Sequence, residues 1–213
     1  MALRRLIEER LQDTRPATDP RAARPAGVAL DLQPLVRKYF PPTLTAAAVL
    51  VPIIEHRDGL TVLFTQRATH LKHHAGQVSF PGGRIEATDA SPRDAALRET
   101  EEEIGLEREF VNVVGYLDPH LTMTGFWITP VVAIVRPGFA LRPDPTEVES
   151  VFEVPLAHIL DSANHRARAW PIGEFTAQIY EIPYQDRNVW GATAGMLMSL
   201  YRLLTVATAQ GST

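Results

Sequence analysis

The sequence predicts an α/β fold with a mixed β-sheet held between helices, and three observations carry that prediction. At 213 residues the chain can bury a large core without covalent staples. β-branched runs interleave with helical spacings along it. The interleaving lacks a strict strand-helix-strand repeat, so the strands are not expected to be all parallel. Met1 to Leu11 sets Leu3, Leu6, Ile7 and Leu11 on one helix face. Thr14 to Pro42 is rich in proline, alanine and arginine and reads as an irregular arm on the domain. Thr45 to Ile54 and Leu60 to Gln66 read as strands around a turn at Asp58-Gly59. Gln77 to Phe80 reads as a short extended piece, and Phe110 to Leu117 and Trp127 to Val135 as further strands. Pro137 to Pro145 is a loop, Val148 to Val154 an extended piece, Leu156 to Leu160 a short helix and Thr176 to Ile182 a strand. Trp190 to Ala207 is a long apolar run that reads as a buried C-terminal helix, with Trp190 in the core. Residues 1–43 are thus an N-terminal helix and arm, 44–207 the folded domain and 208–213 a tail; no internal repeat is present.

Composition narrows the class. Hydrophobic residues at 45% and charged residues at 22% are those of an ordinary globular protein. Zero cysteines exclude disulfides and thiolate metal sites. A net charge of −4 gives no broad electrostatic footprint for nucleic acid, so none is expected as a partner. A membrane span needs about 20 apolar residues, and Arg202 interrupts the one long apolar run. Glu8 and Glu9 weigh against a transit peptide, and no membrane or targeting segment is expected. The expected location is cytoplasmic, and a homodimer is left open.

The most informative segment is a short helix starting near Ser91. Ser91 reads as its N-cap, Pro92 suits the first helical position, Asp94 closes a capping-box-like pair, and Gly105 stands at the left-handed stop. Glu99, Glu102 and Glu103 then share an arc of about 100° in the last turns. Like charges at these spacings each cost a few tenths of a kcal/mol, and the helix dipole disfavours anions there. Arg98, four residues before Glu102, is placed to orient that carboxylate. A solvated acidic helix end is the bland reading. The alternative is a bound hard cation, Mg²⁺ or Mn²⁺, since the ligands are all oxygens. Phe80-Pro81-Gly82-Gly83 precedes the helix, and its glycines permit close backbone approach, so that the Gly83 carbonyl could join the same cation.

Gly83 to Leu106, with Arg98-Glu99-Thr100-Glu101-Glu102-Glu103-Ile104-Gly105-Leu106 at its end, resembles the Nudix box of the Nudix hydrolases. The loop acid departs from the pattern: Asp89 stands six residues after Gly83, but its interval to Arg98 is one residue longer than usual. Either Asp89 fills that role across an insertion or the role is vacant, with Glu86 a weaker substitute. Leu63 to Ala68 followed by Leu71, His74, Gly76, Gln77, Val78, Phe80 and Pro81 resembles the signature of coenzyme A pyrophosphatases. Glu147 to Leu156, Ile182-Pro183-Tyr184 and Val189 to Ala194 are similar to that branch as well. The resemblance implies a Nudix-type α/β/α sandwich. It implies metal ligands at Gly83, Glu99, Glu102 and Glu103, catalytic roles for Arg98 and the same glutamates, and substrate contacts at Arg67, His74 and Gln77.

The implied reaction is metal-dependent hydrolysis of coenzyme A or a derivative to 3′,5′-adenosine bisphosphate and 4′-phosphopantetheine, with Glu99, Glu103 or Glu147 taking the water's proton. Two alternatives stand beside it: hydrolysis of another nucleoside diphosphate derivative such as ADP-ribose or a dinucleotide, and a non-catalytic module that binds a nucleotide. His70, His73 and His74 cluster by Lys72, but without a cysteine or close carboxylate partner they are not expected to form a metal site, and His74 belongs instead to the signature. Arg67 and Lys72 are expected to meet phosphate groups, with a surface ion pair the alternative for Arg67.

Overall fold

The computed structural model describes residues 2–19, 24–25, 37–72 and 74–205. Most of the predicted arm, His73, the last residues of the predicted C-terminal helix and the tail lie outside the described residues. The elements in order are α1 (Ala2–Leu11), β1 (Arg24–Pro25), β2 (Thr45–His56), β3 (Gly59–Arg67), β4 (Val78–Ser79), β5 (Gly82–Arg84), α2 (Pro92–Ile104), β6 (Val111–Tyr116), β7 (His120–Leu121), β8 (Phe126–Val135), β9 (Val148–Pro155), α3 (Leu156–Leu160), β10 (Arg166–Ile172), β11 (Phe175–Tyr184), β12 (Arg187–Trp190) and α4 (Gly191–Thr205).

β2 and β8 are the long apolar runs, and they pair in parallel from Thr45↔Phe126 to Ile54↔Val135 at the centre of the sheet. Strands buried on both faces read as continuous rather than alternating hydrophobics, as these do. β3 runs antiparallel to β2, β9 flanks β3, and β6 and β7 flank β8, all antiparallel. The sheet is therefore mixed. Alternate side chains divide it into two cores. Val49, Val51, Ile53, Phe64 and Val132 pack with residues of α1, α3 and α4; Ala48, Leu50, Leu63, Val131 and Val135 pack with Ala95, Ala96, Leu97 and Ile104 of α2. Full burial of each large aliphatic is worth about 1.5–3 kcal/mol. The expected helix-sheet-helix layering is the observed one.

Several elements differ from the sequence reading. Gly82 to Arg84 is a strand rather than only a turn: Ala48 pairs with Gly83 and Val49 with Gly82, placing β5 against β2. A Cβ at Gly82 would come within 2.4 Å of the Ala48 carbonyl oxygen, so only glycine lets β5 approach this closely. β10 and β12 flank the predicted strand as a second, three-stranded sheet. β10 is exposed along both faces up to Ile172, which is why no alternation marks it. Trp190 ends β12 and is half-buried, and α4 starts one residue later. The N-terminal helix is not peripheral. Ile7 and Leu11 are fully buried, and Thr14 Oγ1 accepts the Tyr116 N–H at 2.8 Å. Among the described residues no helix is long and apolar enough to cross a membrane.

Candidate active site

α2 forms where its caps predict. Ser91 is extended (φ −161°, ψ 165°) and its hydroxyl accepts the Asp94 N–H at 3.3 Å; Gly105 adopts the left-handed stop (φ 68°, ψ 19°) and its N–H donates to Glu101 O. Ala95, Ala96, Leu97 and Ile104 seat one face on the sheet. That seating turns Glu99 and Glu103 inward, towards the β5 backbone, while Glu102 stays exposed.

Arg98 is the hub of the charged groups. Its Nε and Nη2 donate to Asp89 Oδ1 and Oδ2, each at 3.0 Å. Nη1 donates to Glu99 Oε1 at 3.0 Å and to Glu102 Oε2 at 2.9 Å, and Nη2 also reaches the Arg84 carbonyl at 3.2 Å. Asp89 thus meets the box arginine across the one-residue insertion, whereas Glu86 contributes a backbone N–H to Asp89. The Arg98 guanidinium holds the Asp89 carboxyl below its ordinary range, and the carboxylates raise Arg98.

Glu103 is 5% exposed, accepts the Gly82 N–H at 3.2 Å, and lies 4.0 Å from Arg67 Nη1. Burial pushes its carboxyl up to about 8, against the opposing pull of the Gly82 N–H and Arg67. Glu99 is raised as well, chiefly by burial, with Arg98 opposing. The negative charge of Glu147 contributes to both shifts, which brings that β8–β9 loop residue into the field of the site. Gly83 lies under Glu99: a Cβ there would sit 2.5 Å from the carboxylate carbon and 2.5–2.6 Å from its oxygens. The backbone approach predicted from two adjacent glycines is therefore real, and it cradles a carboxylate.

The signature segment folds beside this helix end. Arg67 closes β3, and its Nε is buried with no hydrogen-bond partner among the described residues. Its backbone N–H donates to Gln77 O, and its carbonyl accepts the Gly76 N–H. His74 has a positive φ of 57° and shares a 2.9 Å hydrogen bond with Gln77 Oε1. His70 turns instead to the Thr146 carbonyl, so His70 and His74 do not converge. Sequence reasoning overlooked Arg187 of β12, which donates to Gln66 Oε1 and Ser150 Oγ and lies over the Phe152 ring. It also passed over Asp144, whose Asp-x-Thr spacing is an Asx-turn signal.

Chemically, the arrangement is an excess of carboxylate over cation. Among the described residues the ion pairs of Asp89, Glu99, Glu102 and Glu103 run to Arg98 and Arg67. In this arrangement the acids turn to their protein partners, and among the described residues no three acidic or histidine side chains meet around one point. The donor set nonetheless fits a hard divalent cation: it is all oxygen, Gly83 leaves room at Glu99, and Glu103 is buried with too little positive charge beside it.

Comparison with known proteins agrees with this geometry. The family model described as NUDIX domain matches residues 44–175. The Escherichia coli (strain K12) protein named "Uncharacterized Nudix hydrolase NudL" is 43% identical over 158 residues, which cover 72% of this chain and 80% of that relative. The protein of the same name from Shigella boydii serotype 18 gives the same identity and coverage. Among solved structures, the Nudix hydrolase RenU from M. smegmatis superposes with a TM-score of 0.52 at 17% identity, over 79% of this chain and 89% of that one. This chain belongs to the Nudix superfamily.

Proposed function

We propose that the chain is a Mg²⁺- or Mn²⁺-dependent diphosphatase that cleaves coenzyme A or its derivatives into 3′,5′-adenosine bisphosphate and a 4′-phosphopantetheine portion. One observation carries the diphosphatase reading. Glu103 is buried beside Glu99 and Gly82 without enough positive charge to hold it ionised, an arrangement that a divalent ion would stabilise. The coenzyme A reading is supported by the Leu63–Pro81 signature, whose Arg67 approaches Glu103.

In this reading Glu99, Glu102 and Glu103 hold the cation, and Gly83 keeps the approach open. When bound, the ion supplies charge neutralisation for the diphosphate and Lewis acidity for the attacking water. Arg98, tied to Asp89, fixes the rotamers of Glu99 and Glu102. Arg67 offers its guanidinium to a phosphate oxygen, and His74 and Gln77 orient the substrate on the adjoining loop. We assign the proton acceptor to Glu147, which among the described residues makes no ion pair with an arginine, whereas Glu99 and Glu103 are committed to the cation. Attack at phosphorus is in line, and the protein's contribution is positioning and charge. The partner is a small nucleotide-derived molecule.

The test is turnover by the purified chain with Mg²⁺ or Mn²⁺ against coenzyme A, acyl-coenzyme A, ADP-ribose and dinucleotides. Preferential release of adenosine bisphosphate from the coenzyme A compounds supports the proposal. Cleavage of ADP-ribose or dinucleotides alone contradicts the substrate, and absence of all turnover contradicts the enzyme.

A further inference from the structure

The last turn of an α-helix leaves carbonyls without helical partners. In α2 one of these, Glu101 O, is taken by the Gly105 N–H at 2.9 Å. Two others are taken by the β8–β9 loop, where the Arg142 N–H donates to Ile104 O at 2.8 Å and the Asp144 N–H to Glu103 O at 2.9 Å. Asp144 then folds the chain back on itself. Its Oδ1 accepts the Thr146 N–H at 2.8 Å and the Thr146 hydroxyl at 2.7 Å, an Asx turn. Its carbonyl accepts the N–H groups of Glu147 at 3.0 Å and Val148 at 2.8 Å. On the far side the Glu147 carbonyl accepts the Ala68 N–H at 2.9 Å, one residue beyond Arg67. One short turn therefore ties the helix that carries Glu99 and Glu103 to the strand end that carries Arg67.

We propose that Asp144 is a positioning residue: its Asx turn locks the Glu147 segment to the last turn of α2 and so sets where the Glu147 carboxylate stands relative to Glu99 and Glu103. This rests on the diphosphatase reading above and adds to it a residue that touches neither substrate nor cation. The turn needs an oxygen acceptor at position 144, not a negative charge, because its donors are a backbone N–H and a hydroxyl. Asparagine supplies the same acceptor; alanine does not.

Two readouts on the full chain test the proposal: steady-state turnover of the diphosphate it cleaves best, and amide hydrogen exchange without substrate. Asp144→Ala is expected to lower kcat about tenfold with KM within about twofold, since small misplacements of a reacting group cost this much or more. Its Glu147 and Val148 amides should exchange at least about tenfold faster. Asp144→Asn should stay within about threefold of the parent in both. Thr146→Ala, which removes one of the two donors and is the milder lesion if Asp144→Ala does not fold, should move both readouts in the same direction. Unchanged kcat and unchanged exchange in Asp144→Ala, or unchanged exchange in Thr146→Ala, would overturn the role. Damage by Asp144→Asn equal to that by alanine would overturn it too, by showing that charge is what matters. Exchange reports on the turn even if no diphosphate is cleaved, so failure of the diphosphatase reading is distinguishable from failure of this one.

Discussion

Asp89 and Arg98 face each other in a two-point pair, Nε to Oδ1 and Nη2 to Oδ2, both at 3.0 Å. The loop between β5 and α2 thereby grips the guanidinium that also holds Glu99 and Glu102. A planar guanidinium serves three carboxylates from fixed directions, and an ammonium does not. Arg98→Lys should therefore lower kcat about tenfold or more while leaving thermal stability nearly unchanged, measured by turnover and by melting. Asp89→Ala should lower it in the same way, and a fully active Asp89→Ala would show that the loop acid has no role.

Gly83 lies so near Glu99 that a methyl group there would overlap the carboxylate. The obstructed atoms end a flexible side chain, so Gly83→Ala should fold, at a cost on the order of 1 kcal/mol. Glu99 must then swing away. A loss of kcat of about tenfold or more, with denaturant unfolding shifted by no more than that cost, is the expected result.

Glu103 titrates in the opposite sense to a paired carboxylate. Its pKa is raised from an ordinary 4.5 to about 8, so the folded form binds the proton more tightly than the unfolded form. Its contribution to stability is full below about 4.5 and is lost as pH rises through about 8. At pH 8 without divalent ions, Glu103→Gln should be the more stable protein, by roughly 1–3 kcal/mol in urea. The same variant should lose most turnover.

His120 gives a second pH dependence. It is buried on β7 against Gly195 of α4, where a Cβ would come within 2.5 Å of its ring. Burial alone lowers its pKa from 6.5 to about 4. The unfolded chain therefore takes up a proton before the folded one does, and stability falls as pH drops from about 6.5 towards 4. His120→Gln should flatten that part of the stability profile. An unchanged profile would place the acid sensitivity elsewhere.

α1 supplies core, not an accessory. Ile7 and Leu11 are fully buried, and Ile7→Ala should cost about 2–4 kcal/mol in chemical denaturation.

The layered fold was legible because β2 and β8 are long, doubly buried apolar runs and α2 carries both caps. The acidic helix end was legible because local electrostatics opposes it. The β10–β12 sheet was not, since β10 exposes Arg166 to Pro171 and lacks the alternation that marks a half-buried strand. β5 was hidden for a different reason: a glycine pair signals a turn locally, and only the tertiary approach to Ala48 makes it a strand. In the candidate site, helical spacing put the three glutamates on one arc but could not tell inward Glu103 from exposed Glu102. That difference depends on which face of α2 the sheet covers. The Asp89–Arg98 pair and the Asp144 turn depend on loop paths, which spacing along a helix does not report.

In the proposed diphosphatase, Glu99, Glu102 and Glu103 hold a divalent cation. Calorimetric titration of Mn²⁺ into the full chain, beside the Glu99→Gln/Glu103→Gln double variant of unchanged circular dichroism, tests it most directly. Saturable uptake by the parent, weakened about tenfold or more in the variant, is the predicted result. Equal uptake by the two, or none by the parent, would contradict it.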